Sequence, residues 1–412
     1  MKTLIISLLY PLPENTGGRM RTMNFARFFK AHGEVDILYL DPESKKINDS
    51  NIFTKEHSIY PRYQNLKNHG GKTNEWKNET KERIKRLIEN RPYIVAEWSL
   101  DSCKKFKSLV ENEKYDVILC RYISNSFPLF KLSEEYKKRT VIDFDDFYSE
   151  EYLRKEAATI SNLYRKFKKY IQNKFVMGYQ KKCLKFGAAL FCSPIDLENI
   201  SAYRQKENIF IIPNTYPENN KFDSSYNDGY RNLGTFLFIG TLDYGPNRVG
   251  IKWFIENIFR QVLIENPDSK LLIVGRNPPE EISQICEKIP QIELHSNVPD
   301  VCPFYEKCGV VVVPIFEGGG TRIKILEAAM AMRPVLSTPF GAYGLNLTDG
   351  DNIMIFKDRE GFMQKYIKLS DKDAYLSIVY NMKKTVESKY SPESFNNAMK
   401  IVIKNMIGRN GN

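Results

Sequence analysis

The stretch VVVVPIFEGGGTRIKILEAAMAMRPVLSTPFGAYGL, residues 310–345, decides the fold. Four consecutive valines read as a strand buried on both faces, and the strand ends at Pro314. Three glycines follow, then a helix expected over 322–332 and a short strand over 334–337. Strand, glycine loop, helix and strand in succession make a βαβ unit of a parallel sheet. The same alternation extends upstream, with strands expected over 235–239, 270–274 and 292–295 and helices over 248–266, 279–287 and 300–307. Strands that alternate regularly with helices imply an α/β sheet covered by helices on both faces.

The N-terminal half opens in the same way, with a strand over 2–9, the loop PLPENTGGRM, a helix over 21–31 and a strand over 35–39. YDVILC (115–120) and TVID (140–143) read as short buried strands that stop at polar residues, and 188–192 and 209–212 as further strands. Residues 51–91, rich in Lys and Asn, read as a surface excursion. A chain of 412 residues suits two α/β domains of about 200 residues each. The boundary is placed after the loop PNTYPENN, giving a domain over 1–215, joined by a returning C-terminal helix over about 390–412, and a second over 216–389.

Composition bounds the function. With 42% hydrophobic and 27% charged residues the chain belongs with soluble globular proteins, and its net charge of +11 suits an anionic partner. No nucleic-acid motif accompanies the charge, so nucleic acid is not an expected partner. The apolar run 3–9 is short, is followed by Pro11 and Pro13 and lacks a cleavage-site pattern, so it reads as a buried strand and not a signal peptide. No run of about eighteen apolar residues offers a membrane span, and a cytoplasmic location is expected. Seven cysteines, never spaced as C-x-x-C, read as reduced buried thiols, and the four histidines show no metal-ligand spacing.

The glycine loop is the first candidate site. Gly318, Gly319 and Gly320 let backbone approach a ligand closely, and the first-turn N–H groups after Thr321 are free to point at a phosphate. Arg322 and Lys324 add cations suited to diphosphate oxygens. Glu327 sits in an otherwise apolar helix face and leans toward the helix N-terminus, where it could accept ribose hydroxyls. The competing reading is a tight loop with Glu327 paired to a neighbouring cation, since a lone glycine loop is a weak signal.

Two further features stand out. In VIDFDDFYSEEY, Asp143, Asp145 and Asp146 end a strand, where they could orient an acceptor hydroxyl, act as a base or cap a helix. Over 150–185 basic residues outnumber acidic ones, and Ile160, Leu163, Tyr164, Phe167, Ile171 and Phe175 recur at helical spacing. Such a basic amphipathic helix suits the anionic inner face of a membrane as a peripheral contact; a plain solvated helix on the core is the equal alternative.

GGGTRIKILEAAMAMRPVLST followed by GAYGL resembles the donor-site signature of the family-4 (glycosyl transferases group 1) retaining sugar transferases of GT-B fold. The resemblance extends to GTLDYGPNRVGIKWF (240–254), PNTYP (213–217) and YPLPENTGGRMR (10–21), so it covers most of the chain in order. It implies two Rossmann-like domains with parallel sheets facing across a cleft, the first for the acceptor and the second for the nucleotide sugar. It implies transfer of a hexose-type sugar from a UDP- or GDP-sugar to a saccharide or lipid-linked acceptor, with retention and without a metal or other cofactor, in the biosynthesis of cell-surface polysaccharide such as capsule.

Carried over by position, the resemblance assigns the donor to Gly17, Gly18, Arg19, Gly240, Thr241, Arg276, Val298, Gly318, Gly319, Gly320, Thr321 and Glu327, with Arg21 an alternative to Arg19. Arg322, Lys324, Glu317 and Asp145 are the candidate catalytic residues. Three departures matter. The first Glu of the family's E-x7-E motif would fall at 319, where the chain has Gly319, with Glu317 two residues earlier. A basic residue usual after the strand that precedes GTLDYG is replaced by Pro246 and Asn247, with Arg248 one place on, and a usual histidine after the YDVI-like strand gives way to Arg121. These departures leave a non-catalytic nucleotide-sugar- or membrane-binding homologue, or a nucleotide-sugar epimerase, as alternatives.

Overall fold

A computed structural model describes residues 1–14, 16–44, 51–59, 92, 94–96, 98–145, 162–194, 207–216, 222, 229–318 and 322–410. The chain divides into two compact units, Met1–Ile212 with Asn396–Asn412, and Pro213–Phe395.

The first unit is built on a seven-stranded sheet of β1 (Lys2–Leu9), β2 (Glu34–Asp41), β3 (Lys55–Ser58), β4 (Val117–Arg121), β5 (Thr140–Asp143), β6 (Ala188–Phe191) and β7 (Ile209–Ile211). The order is β3-β2-β1-β4-β5-β6-β7, and every pair is parallel. Helices α1 (Gly17–Lys30), α2 (Leu100–Glu113), α3 (Glu134–Lys138) and α4 (Leu163–Cys183) lie between strands. The strands β4, β5 and β6 are buried throughout, which explains their apolar spelling apart from Arg121, Thr140 and Asp143 at strand ends.

The second unit carries β8 (Thr235–Thr241), β9 (Lys270–Arg276), β10 (Ile292–Ser296), β11 (Val310–Val313), β12 (Val335–Ser337) and β13 (Met354–Ile355) in the order β10-β9-β8-β11-β12-β13, again all parallel. Its helices are α5 (Gly245–Phe254), α6 (Arg260–Glu265), α7 (Glu280–Glu287), α8 (Cys302–Lys307), α9 (Ile323–Met330), α10 (Arg359–Lys368), α11 (Lys372–Lys389) and the first turn of α12 (Pro392–Asn410). A π-helical turn, Ile255–Phe259, joins α5 to α6 and puts Ile255, Ile258 and Phe259 into the core. Met399, Val402 and Met406 form the buried face of α12 in the first unit.

Both sheets therefore have the doubly wound order, each with a reversal point: between β1 and β4 in one unit and between β8 and β11 in the other. Residues 55–58, read from sequence as part of an excursion, instead form the edge strand β3. Its residues KEHS carry no apolar run; pairing with β2 and the bond from Lys55 N–H to the buried Asp36 carboxylate (3.0 Å) make the strand. Charged side chains on an edge strand also discourage further pairing. The remainder of the excursion, 60–91, lies outside the described residues, as do Asp146 and residues 150–161 of the stretch read from sequence as a long helix. All seven cysteines are buried and in no disulfide, as expected. Among the described residues no helix is long and apolar enough to cross a membrane.

Candidate active site

In doubly wound sheets ligands bind beyond the C-terminal strand ends at the reversal point. In the second unit that point is bounded by Gly240 and Thr241 at the end of β8 and by the loop after β11. The loop passes close to the start of α5. Gly318 has φ +98°, a left-handed conformation, and a Cβ there would lie 2.9 Å from both Pro246 Cγ and Tyr244 Oη. Conformation and space both require glycine at this position.

Helix α9 starts at Ile323 directly beyond this loop. Arg322, at its N-cap position, donates to the carbonyl of Gly318 (3.0 Å) and sits over the Phe340 ring at 5.8 Å, which orients the guanidinium at the helix N-terminus. Lys324, the second residue of the helix, donates to Asn247 Oδ1 (3.1 Å) and lies 4.6 Å from the centroid of the Phe238 ring. Asn247 in turn donates to the carbonyl of Thr241 (2.9 Å), so one amide ties the strand end to the lysine. The approach is close: a Cβ on Gly240 would sit 2.7 Å from Asn247 Nδ2 and 3.0 Å from Lys324 Nζ. Burial and the neighbouring Arg322 charge, only partly offset by Glu327, bring the Lys324 ammonium down to a pKa of about 7.

Glu327 is buried on the same helix and accepts a 2.9 Å hydrogen bond from the Tyr305 hydroxyl, which also reaches the carbonyl of Lys324 (3.2 Å). Burial, reinforced by the Glu327 carboxylate, pushes the Tyr305 phenol far above its ordinary pKa, so it remains a donor. Arg333, fully buried, holds Tyr305 in turn by donating to its carbonyl (2.8 Å) and to those of Ala331 and Met332 at the C-terminus of α9.

The other sequence-predicted residues of this unit fall into place individually. Arg276 ends β9 beside Thr241 and reaches its hydroxyl at 3.4 Å; burial lowers the guanidinium's pKa. Val298 is half-buried against the core after β10. Glu317 is exposed, and its carbonyl receives only a long bond from Arg322 (3.4 Å). Arg248 is not at the strand end: it pairs with Glu281 at 3.4 Å, and Asn247 occupies the position beside Lys324. Gly319, Gly320 and Thr321 lie outside the described residues. Sequence reasoning treated Asn247 only as a missing cation and passed over Tyr305 and Arg333; Tyr305 is one of two residues of α8 that are buried, the other being Cys302.

The first unit holds a second polar cluster at its own reversal point. Arg21, on α1, bonds Asp143 at the end of β5 through Nη2 to Oδ1 (2.7 Å) and Nε to Oδ2 (3.0 Å), and donates to the carbonyl of Ile212 (2.8 Å). Arg121, at the end of β4, pairs with the same Asp143 and donates to Thr22 Oγ1 (3.1 Å), the carbonyl of Gly18 (3.2 Å) and Asp145 Oδ2 (3.2 Å). Both guanidiniums and Asp143 are fully buried. Burial alone would raise the Asp145 carboxyl, but the Arg121 and Arg21 charges overcome it and hold its pKa at about 2. A carboxylate of such low proton affinity is a poor general base, which redirects Asp145 from base to anchor. Arg21 is committed to Asp143, while Arg19 at the start of α1 reaches the carbonyl of Pro13 at 3.4 Å. Gly17 opens α1, and Gly18 gives way to Tyr122, whose hydroxyl would be 2.3 Å from an added Cβ.

Three comparisons bear on this arrangement. Residues 234–372 match the family described as glycosyl transferases group 1, a segment that contains β8, Asn247, Lys324 and Glu327. A Klebsiella pneumoniae protein, described as an uncharacterized 44.6 kDa protein in the cps region, is 25% identical over 273 residues, which span 62% of this chain and 66% of that relative. Among solved structures, sucrose-phosphate synthase from Thermosynechococcus elongatus superposes with a TM-score of 0.71 at 14% identity, covering 99% of this chain and all of that one. Anabaena HepE in complex with UDP-glucose gives 0.65 at 12% identity, covering 98% and 99% of the two chains. With two doubly wound parallel sheets that superpose on these structures, the chain has the GT-B fold, and its residues 234–372 form a glycosyl transferases group 1 domain.

Proposed function

We propose that the second unit binds a UDP- or GDP-sugar beyond β8 and β11 and that the enzyme transfers the hexose, with retention, to a saccharide or lipid-linked acceptor in cell-surface polysaccharide biosynthesis. The observation that carries this reading is the convergence of Lys324, Arg322 and the Gly240–Thr241 strand end on one point, with Asn247 as the tie. Two cations beside a helix N-terminus and a glycine turn match a diphosphate. The relative in a cps region favours a polysaccharide product, and a GT-B neighbour that holds UDP-glucose favours a uridine donor.

In this reading Gly318, Gly319, Gly320 and Thr321 cradle the diphosphate, Glu327 accepts the ribose hydroxyls, and Arg276 and Val298 border the base. The bond from the anomeric carbon to the diphosphate breaks first. The leaving oxygen then takes the proton of the acceptor hydroxyl, and the acceptor oxygen bonds the same face of the sugar. Lys324 and Arg322 stabilise the charge that grows on the diphosphate, so the step needs no metal ion. Glu317 is placed to accept sugar hydroxyls in lieu of the absent Glu at 319. In the first unit the reading gives ligand contacts to Gly17, Gly18 and Arg19 and makes Asp145 a positioning residue.

A thermal-shift screen with UDP, GDP and their hexoses tests the donor, and NMR of the transferred sugar's anomeric proton tests retention. One nucleotide series should raise the melting temperature. No stabilisation by either series, together with no transfer, would sink the reading.

A further inference from the structure

Helix α4 has two apolar faces. Its C-terminal half is fastened to the first unit by the buried side chains of Asn173, Val176, Tyr179, Gln180 and Cys183. Its N-terminal half exposes Leu163 (81%), Tyr164 (75%), Phe167 (64%), Tyr170 and Ile171 to solvent. Successive side chains on a helix turn by about 100°, which places these five within an arc of roughly 120°, on the side opposite the core-facing residues. The sequence spacing left two readings open, a membrane-facing helix and a plain solvated helix on the core. The outer strip is separate from the core-facing side, and solitary exposed apolar residues would not form such a strip.

The charges fit one kind of partner. Lys166 and Lys168 border the strip on either side at the same angular spacing, and Lys174 lies 5.4 Å from the Tyr170 ring centroid. No acidic residue occurs anywhere in Leu163–Cys183. A second copy of this chain would bring the same cations against it, and a nucleic-acid backbone offers nothing to bury Leu163 or Phe167. An anionic bilayer satisfies both features: the apolar strip enters the headgroup boundary while the flanking cations meet lipid phosphates.

We propose that the outer face of α4, centred on Leu163, Phe167 and Ile171 and edged by Lys166 and Lys168, docks the enzyme on an anionic membrane surface. The attachment does not depend on the donor site. It places the first unit, to which the acceptor is assigned, next to a lipid-linked substrate.

Vesicle flotation of the full-length protein tests this, with phosphatidylglycerol–phosphatidylcholine vesicles set against phosphatidylcholine alone. The wild type should float with the anionic vesicles only. The double variant Leu163→Ser, Phe167→Ser should bind more than tenfold more weakly, with the melting temperature unchanged because both side chains are exposed. Should that variant lose stability, Lys166→Gln with Lys168→Gln gives an independent reading, at about fivefold weaker binding per cation removed. Absence of vesicle binding, equal binding to neutral vesicles, or variants that bind like wild type would overturn the proposal. So would a concentration-dependent dimer abolished by the serine variant, or retention of duplex DNA in place of vesicles.

Discussion

Replacing Lys324 with alanine tests the donor site most directly. In the unliganded protein the ammonium has a pKa of about 7, because burial and Arg322 oppose its charge. A bound diphosphate favours the charged form, so binding must take up a proton whenever the pH exceeds 7. Affinity for the donor should therefore be greatest below pH 7 and fall by up to about tenfold per pH unit above it. A UDP-hexose is the suitable ligand, since its diphosphate diester has no proton to lose near neutrality. Lys324→Ala removes one charge-assisted hydrogen bond, worth about 1.5–3 kcal/mol, or roughly a ten- to 150-fold rise in Kd. It should also lower kcat by about a hundred- to a thousandfold, as removal of a group facing developing charge does. Asn247 keeps its bond to the Thr241 carbonyl, so the strand end should persist in the variant. The folded-state pKa lies below the ordinary 10.5, so the lysine's cost to stability is fully present below pH 7 and is relieved as the pH rises toward 10.5. The variant should therefore melt higher than wild type at pH 6 while binding donor less well. Calorimetric titration with UDP-hexose from about pH 6 to about pH 9 checks the sign. A flat wild-type profile, or a variant within about twofold of wild type, would refute the assignment of Lys324 to the diphosphate.

Other substitutions separate ligand contacts from scaffolding. Gly240→Ala should displace the flexible ends of Asn247 and Lys324, raising the donor KM by about tenfold with little change in melting temperature, since one such hydrogen bond is worth about 1–1.5 kcal/mol. Glu327→Gln keeps an acceptor for the Tyr305 hydroxyl but removes the negative charge, so kinetics should show a donor KM about tenfold higher with the fold intact; Glu327→Ala should in addition lose about 1 kcal/mol of stability in denaturant titration, because the buried hydroxyl keeps only its longer bond to the Lys324 carbonyl. Arg121→Met strips Asp143 and Asp145 of a buried partner and should cost about 3–5 kcal/mol by the same titration. In the wild type, Asp145, held at about 2 against an ordinary 3.8, contributes stability present above pH 4 and lost as pH falls through 2; acid unfolding of Arg121→Met should shift to higher pH.

Much of the fold was legible because its signals are local. The valine run of β11, the glycine turn and the helical spacing of α9 each declare themselves within a few residues, and their alternation with neighbouring elements is enough to imply a parallel sheet. The edge strand β3 was not legible, since its residues are polar and only pairing with β2 makes them a strand. The same divide runs through the candidate site. Arg322, Lys324 and Glu327 were readable from their spacing on one helix. The partners that orient them were not.

Sequence alone determined the class of fold, the two-sheet alternation, the position of the glycine turn and the helix carrying the candidate donor residues, because periodicity and turn chemistry act over a handful of neighbours. Tertiary structure alone decided which polar groups meet. Asn247 reaches Lys324 across 77 residues, and Arg21 reaches Asp143 across 122. It also decided which face of α4 is buried, because a helix with apolar residues on opposite sides spells both faces alike. The physical reason is common to these cases: a buried charge or an exposed apolar strip has its meaning set by what the fold brings against it, and residues distant in the chain supply that.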